Sequence, residues 1–497
     1  MLAWLVITGI VLYGIGIAVL SNRAHKEQVD TSTSDYFVAN RSVGTILILG
    51  TICLSIWSAL AFYGYAAGIY RSGIGYFSGV AGACVVGFYA PTVMYRLWLL
   101  GKKYGYITPG DFMADRFYSE TYRWIVALIG LVFLVPYIAL QIIGVANGME
   151  VASKGTIPFV IGVAVLTVYI VGHVLWGGAR SIAYTDTLAG FSGLAILVIT
   201  VLFVLYRAFP GGLPAAAQAA LKNSPKMFMH YGAYGNWIGV LGLSVTAGMA
   251  IVAWPHVFVR SYFAKSKEVF RVMAWAFPIL EVFTFTWFLI EGAYIAPGVY
   301  PGLSAKMADN IVPMMVSDYA PVIFAALIVV GVFAFGMSTA DSQLLVASST
   351  LQVDIYDRFV EPNAPQERRV RFAKMWVIVM MVLVLLVVAF RPAVLVDYAY
   401  KFSSPGFAQL MPALFGGLYW RRATREGAIW GTIGGLVAVL ITLFFKNPYP
   451  VVHPVLWGLL VNTILFVAVS LLTPPPPKEV VARIHDYLEE EIYGNEA

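Results

Sequence analysis

Charge is what this 497-residue chain has least of: Asp, Glu, Lys and Arg make up only 12% of it, against 60% hydrophobic residues, and the mean hydropathy is +0.79. A soluble protein of this length needs far more charged surface. The scarcity therefore excludes an ordinary soluble globular fold and points to an all-α polytopic membrane protein, built from apolar runs of about 20 residues. Cysteine is scarce too. Cys53 and Cys84 both fall inside apolar runs, so neither a disulfide framework nor a metal centre is indicated. No HExxH, GxSxG or clustered His/Cys set supports an intramembrane enzyme, and the lack of a Walker A sequence argues against an ATP-driven pump. The net charge of +6 is spread over short loops and does not point to nucleic acid.

Thirteen apolar segments are each long enough to span a bilayer, at 2–20, 44–70, 73–98, 123–150, 157–178, 184–207, 236–260, 270–297, 319–350, 372–390, 395–419, 426–445 and 452–473. The first lacks a basic leader and reads as an uncleaved helix rather than a signal peptide. The 29 Tyr and 13 Trp suit two interfacial belts. Basic residues concentrate in alternate loops, for example Arg96, Lys102, Lys103, Arg116 and Arg123, then Arg358, Arg368, Arg369, Arg371 and Lys374. By the positive-inside rule this predicts thirteen helices with the N-terminus outside and the C-terminus cytoplasmic, in a cytoplasmic membrane. Residues 1–475 read as one transmembrane unit. After Pro474–Pro477, residues 476–497 read as a cytoplasmic tail with the pattern of a short amphipathic helix.

The most informative stretch runs from Val332 to Phe359, VFAFGMSTADSQLLVASSTLQVDIYDRF. A membrane-grade helix here carries Ser338, Thr339, Asp341, Ser342 and Gln343. An ionised Asp at a helix centre costs roughly 2.5–3.5 kcal/mol, so such groups usually face a polar cavity or an ion. Ser338, Asp341 and Ser342 share one face, and an oxygen-only set suits a hard, weakly held cation. Hydroxyls that merely back-bond to the helix would explain two of these residues, but not the carboxylate beside them.

Other candidates divide between function and packing. Ser55, Trp57 and Ser58 interrupt the run at 44–70. They mark either a discontinuous helix that frees carbonyls for an ion, or an ordinary helix with a small-residue seam, since no Pro or Gly lies at that point. Thr185 and Asp186 are either a helix N-cap or site residues. Gly248 and Pro255 permit a kink and a close approach, and His256 and Arg260 read as loop packing near a helix end. Tyr137 and Gln141 share a face and are plausible cavity liners. Asp397 and Lys401, four apart, read as an interfacial ion pair or as an attractor for an anionic solute.

Five motifs, SDYFVANRSVG (34–44), WGGARSIAYTDT (176–187), PHVFVRSYFAKS (255–266), GMSTADSQLLVASSTLQVDIYDRF (336–359) and LYWRRATREGA (418–428), occur in an order that resembles the sodium:solute symporter family. That family includes proline, pantothenate, monocarboxylate, sialic acid and sodium/glucose carriers. The resemblance runs from about residue 34 to 440. It implies a LeuT-type core of two five-helix inverted repeats, about 44–207 and 236–419, with ligands near the midplane. It also implies a sodium site made by Ser338 and Thr339 with the carbonyls of Leu54, Trp57 and Phe335. A second sodium, as in some members, would use Asp186, Ser338, Asp341 and Ser342. The carboxylate at 341 departs from the family's hydroxyl pattern and leaves the stoichiometry open. Ile56 stands where proline carriers have an Asp, which argues against a simple proline permease.

For substrate contacts the implied set is Trp57, Ser58, Ala59, Tyr137, Gln141, Gly248 and Trp254. The expected function is sodium-coupled symport of a small organic solute, whether monocarboxylate, amino acid or pantothenate-like. The expected partners are the solute, the sodium ion and the bilayer, with no further cofactor. A proton-coupled carrier of the same fold and a solute sensor are the alternatives. Oligomeric state is not legible.

Overall fold

The structure is a computed structural model that describes residues 1–494 apart from 29, 391–398 and 446. Long apolar helices dominate it. Those used below are α1 (Leu2–Lys26), α2 (Thr45–Ile56), α3 (Ile74–Tyr104), α4 (Glu120–Ala152), α5 (Phe159–Ala208), α6 (Trp237–Ala253), α7 (Glu268–Val299), α8 (Val322–Val360), α9 (Gln366–Phe390), α10 (Arg425–Phe444) and α11 (Pro454–Leu472). Among the described residues nine helices are long and apolar enough to cross a membrane. Two bent pairs bring the number to eleven. α2 continues into Ala61–Ser72 after a 55° bend, and α6 into Pro255–Phe263 after a 48° bend.

The thirteen expected segments are not all separate elements. Those at 157–178 and 184–207 form the single 50-residue α5, broken only at Gly178, where φ is 56°. Glycine is required there. Besides the positive φ, a Cβ would run into the Tyr36 carbonyl, because the Tyr36 segment packs directly against the break. The parts on either side of Gly178 are each of spanning length. The segment at 395–419 begins outside the described residues and continues as Ser404–Ala408 and Met411–Tyr419.

Burial sorts the helices into an interior and a lipid-facing shell. Some 72% of the most apolar window is buried in α4 and α8, against 17% in α1, so α4 and α8 are interior helices. α1 shows Trp4, Val11, Leu12 and Ile15 to the outside, and α9 shows Ile378, Val382 and Leu386. α8 packs against α1, α4 and α5, and α5 in turn against α2. The Val332–Phe359 stretch therefore lies at the centre of the bundle, which is where its polar residues can meet partners.

The end of α8 explains part of that motif. Asp354 accepts from Arg123 Nη1 and from Thr108 Oγ1, at 2.8 and 2.9 Å, and Arg123 Nη1 also reaches Asp111 Oδ1 at 2.8 Å. One guanidinium thus ties the start of α4 to the short helix Pro109–Phe117 and to the end of α8, with Asp354 1% exposed. Removing one partner of a buried ion pair costs about 3–5 kcal/mol. Arg123→Ala is accordingly expected to lower the thermal unfolding temperature in detergent clearly. Arg425→Ala, which breaks an exposed pair with Glu426 and a contact over the Tyr118 ring, is expected to change it far less. Equal melting temperatures in the two variants would contradict this role.

The polar tail is helical over Lys478–Tyr493 and folds back on the bundle. Arg483 pairs with Asp115, Arg421 reaches Asp486 and Glu489 at 2.6 and 2.8 Å, and Lys103 lies over the Tyr487 ring. Burial, with Arg116 and Arg421 nearby, pushes the His485 imidazole down to about 4. This histidine is neutral at pH 7, so the docking does not depend on its charge.

Candidate functional site

The site begins where α2 stops. Trp57 has ψ 97°, outside the helical range, and Ser58 Oγ accepts the Ala61 N–H at 3.3 Å, starting the second half as a cap does. A capping serine thus allows the break that no Pro or Gly forces. Ser55 takes the packing role, its hydroxyl donating back to the Thr51 carbonyl at 2.7 Å. Trp57 turns its indole towards α7, where Nε1 donates to Glu281 Oε2 at 2.6 Å. With the last turn of α2 opened, the Leu54 carbonyl accepts Thr339 Oγ1 from α8 at 2.9 Å. Two of the expected sodium ligands thus meet across the α2–α8 contact. Phe335 lies one turn before Thr339, its ring edge-on to Phe62 at 5.2 Å.

Beside this contact lies a fully buried polar cluster. Asp186 Oδ1 accepts from Ser338 Oγ and Asp186 Oδ2 from Thr51 Oγ1, both at 2.5 Å. The Arg260 guanidinium stands 3.9 Å from Asp186 and also donates to Ser342 Oγ. Asp186 is no helix cap, because it and Thr185 sit inside the second part of α5, about two turns beyond the break at Gly178. Arg260 is no loop-packing residue either: it is 0% exposed and central to the cluster. Thr51 is a member with no motif to announce it. Its one sequence signal is its place a single turn before Leu54, on the same helix.

Asp341 does not join this group. Its Oδ2 lies 2.5 Å from His173 Nδ1, and a chain of buried polar atoms continues through His173 Nε2 to Ser181 Oγ (2.9 Å) and on to Ser21 Oγ (2.6 Å). Of the expected second-sodium set, Asp186, Ser338 and Ser342 come together, while Asp341 is engaged by His173 through Oδ2 and keeps Oδ1 buried without a hydrogen-bond partner among the described residues.

The expected substrate residues also divide. Tyr137 stands edge-on to Trp254 with ring centres 5.6 Å apart, and His256 completes the trio at 6.0 and 5.8 Å. Gln141, one turn along from Tyr137, keeps both amide atoms buried without a hydrogen-bond partner among the described residues, and so does the Trp254 indole N–H. Ala59 and Ser58 are buried at the break itself. Gly248 instead serves packing. A Cβ there would strike the backbone of Gly82 and Ala83, so α6 and α3 touch backbone to backbone. Lys401 is exposed, and Asp397 lies outside the described residues. Among the described residues no group of three or more His, Cys, Asp or Glu could hold a metal ion.

The sequence matches the model of the sodium:solute symporter family over residues 36–435. The chain belongs to that family. It is 28% identical to the sodium/pantothenate symporter of Escherichia coli, over 95% of this chain and 96% of that one. To the high-affinity proline transporter PutP of Bacillus subtilis it is 25% identical, over 92% and 96%. The structure superposes on the substrate-bound outward-open state of a Na+-coupled sialic acid symporter with a TM-score of 0.78, at 18% identity, covering 95% of this chain and 98% of that one. This family member therefore has the LeuT-type symporter fold and is a multi-pass membrane protein.

Proposed function

We propose that the chain imports a small organic acid or amino acid together with sodium, the solute being monocarboxylate-, amino acid- or pantothenate-like. The observation that carries this reading is the Thr339–Leu54 contact, which places a hydroxyl and a helix-end carbonyl of two different helices at the α2 break. Sodium bridging that contact would join α2 to α8 and favour the state that receives solute. Symport then follows from linkage, because each ligand raises the other's affinity by the same factor. The driving force is the sodium gradient plus about 2.3 kcal/mol per charge for each 100 mV.

The repeats at about 44–207 and 236–419 would supply the two moving halves, and the matching bends of α2 and α6 support that division. The N-terminus would lie outside and the tail at 476–497 in the cytoplasm. Solute would lie among Ser58, Ala59, Tyr137, Gln141 and Trp254, where the Gln141 amide N–H and the Trp254 indole N–H could donate and the Gln141 amide oxygen accept. The test is uptake into proteoliposomes of labelled pyruvate, lactate, proline, alanine, pantothenate and glucose, with an inward sodium gradient or with choline at fixed pH. Accumulation of a carboxylate or amino acid only with sodium is expected. Equal uptake in choline would discard sodium coupling.

A further inference from the structure

We propose that residues 39–41 form a strained strap, clasped by Arg180, which holds the inner ends of α2 and α6 together and helps part them when the clasp lets go. The strap belongs to the motif SDYFVANRSVG, which takes no part in the ion or solute sites. Ala39, Asn40 and Arg41 have φ of 50°, 48° and 55°. Asparagine tolerates this left-handed region as a single residue. Three such residues in succession, with no glycine among them, make a strained run that persists only where its surroundings hold it.

Those surroundings are specific. Before the strap, the short helix Thr33–Val38 is fixed to α5 on both sides of the break at Gly178. Tyr36 Oη donates to the Val174 carbonyl at 3.0 Å, and Arg180 Nη2 pairs with Asp35 Oδ1 at 3.0 Å. The same guanidinium donates to the Ala39 carbonyl at 3.1 Å and, through Nη1, to Ser42 Oγ at 2.7 Å. One buried side chain thus grips both ends of the strap. Arg41 adds a hold in its middle, donating to Ser34 Oγ at 3.1 Å and to the Tyr106 carbonyl at 2.7 Å.

Beyond the strap the chain joins two bent helices. The Val43 N–H donates to the Phe263 carbonyl at 3.0 Å and the Lys265 N–H to the Val43 carbonyl at 2.9 Å. This parallel bridge ties the start of α2 to the end of the Pro255–Phe263 half of α6. On the symport reading above, solute held beside the two breaks leaves inward past these inner halves, so their joined ends must yield in each cycle. Strain released by residues 39–41 offsets part of the cost of opening the clasp, which makes the closed end a poised state rather than a fixed one.

Hydrogen–deuterium exchange of the full-length protein in nanodiscs tests this, read at the amides of Val43 and Lys265, because exchange there reports local opening. Arg180→Gln is expected to speed both amides about tenfold or more, with α10 and α11 unchanged. Ala39→Gly removes strain while keeping the carbonyl that Arg180 holds. It is expected to slow both amides about threefold or more and to slow solute uptake. Unchanged exchange in a folded Arg180→Gln protein would overturn the clasp. Faster exchange in Ala39→Gly, the response of a flexible hinge, would overturn the strained strap, and that variant decides even where Arg180→Gln is not recovered. Exchange is read without solute or a sodium gradient. Uptake equal in choline would therefore discard sodium coupling and leave the strap to be decided by exchange alone.

Discussion

Thr339→Ala is expected to raise the sodium concentration for half-maximal uptake by about tenfold or more, with the maximal rate at saturating sodium largely kept. The hydroxyl donates from α8 to the carbonyl freed by the α2 break, at 2.9 Å from Leu54. A hydrogen bond or contact to a charged partner contributes about 1.5–3 kcal/mol, which is tenfold to a hundredfold in affinity. Thr339→Ser keeps the oxygen and is expected to stay near the wild type. Ser338→Ala is expected to act more weakly on sodium, because the Ser338 hydroxyl is engaged with Asp186. Sodium titrations of initial uptake rates read all three. Unchanged sodium dependence in both alanine variants would remove this site from the account.

Asp186→Asn is expected to abolish uptake and to lower thermal stability by an amount that a second substitution restores. The residue is fully buried, and its charge is what Arg260 faces. Losing that charge strands a guanidinium at bilayer depth, at a cost of about 3–5 kcal/mol, whereas removing both charges together is often neutral. The double variant Asp186→Asn, Arg260→Gln is therefore expected to melt close to the wild type while remaining inactive. Fluorescence-monitored melting in detergent measures all three proteins. Equal stability of the single variant and the wild type would show that the pair is not coupled.

The apolar runs were legible in the sequence because hydropathy over about 20 residues reports a span whatever its neighbours are. The Val332–Phe359 stretch was legible for a related reason, since a carboxylate among hydroxyls in a membrane helix demands a partner. Partners themselves are a matter of three dimensions. Thr51 is a single hydroxyl in an apolar run and carries no pattern of its own. Arg260 lies close to a basic loop in sequence and reads as its edge, yet the bend after Ala253 carries it into the interior. Asp341 and Ser342 are adjacent on one face and still take opposite partners, because His173 reaches the first and Arg260 the second. The break at Trp57 escapes a search for Pro and Gly because Ser58 supplies the cap instead. Asp354, within the 336–359 motif, ties the end of α8 to the start of α4 through Arg123.

The measurement that bears most directly on the central claim is equilibrium binding of the transported solute to the purified protein, in sodium and in choline. Linked sites require sodium to raise solute affinity and solute to raise sodium affinity by one common factor. The account predicts a factor of at least tenfold in the wild type and a much smaller one in Thr339→Ala. Identical solute affinity in sodium and choline would contradict it.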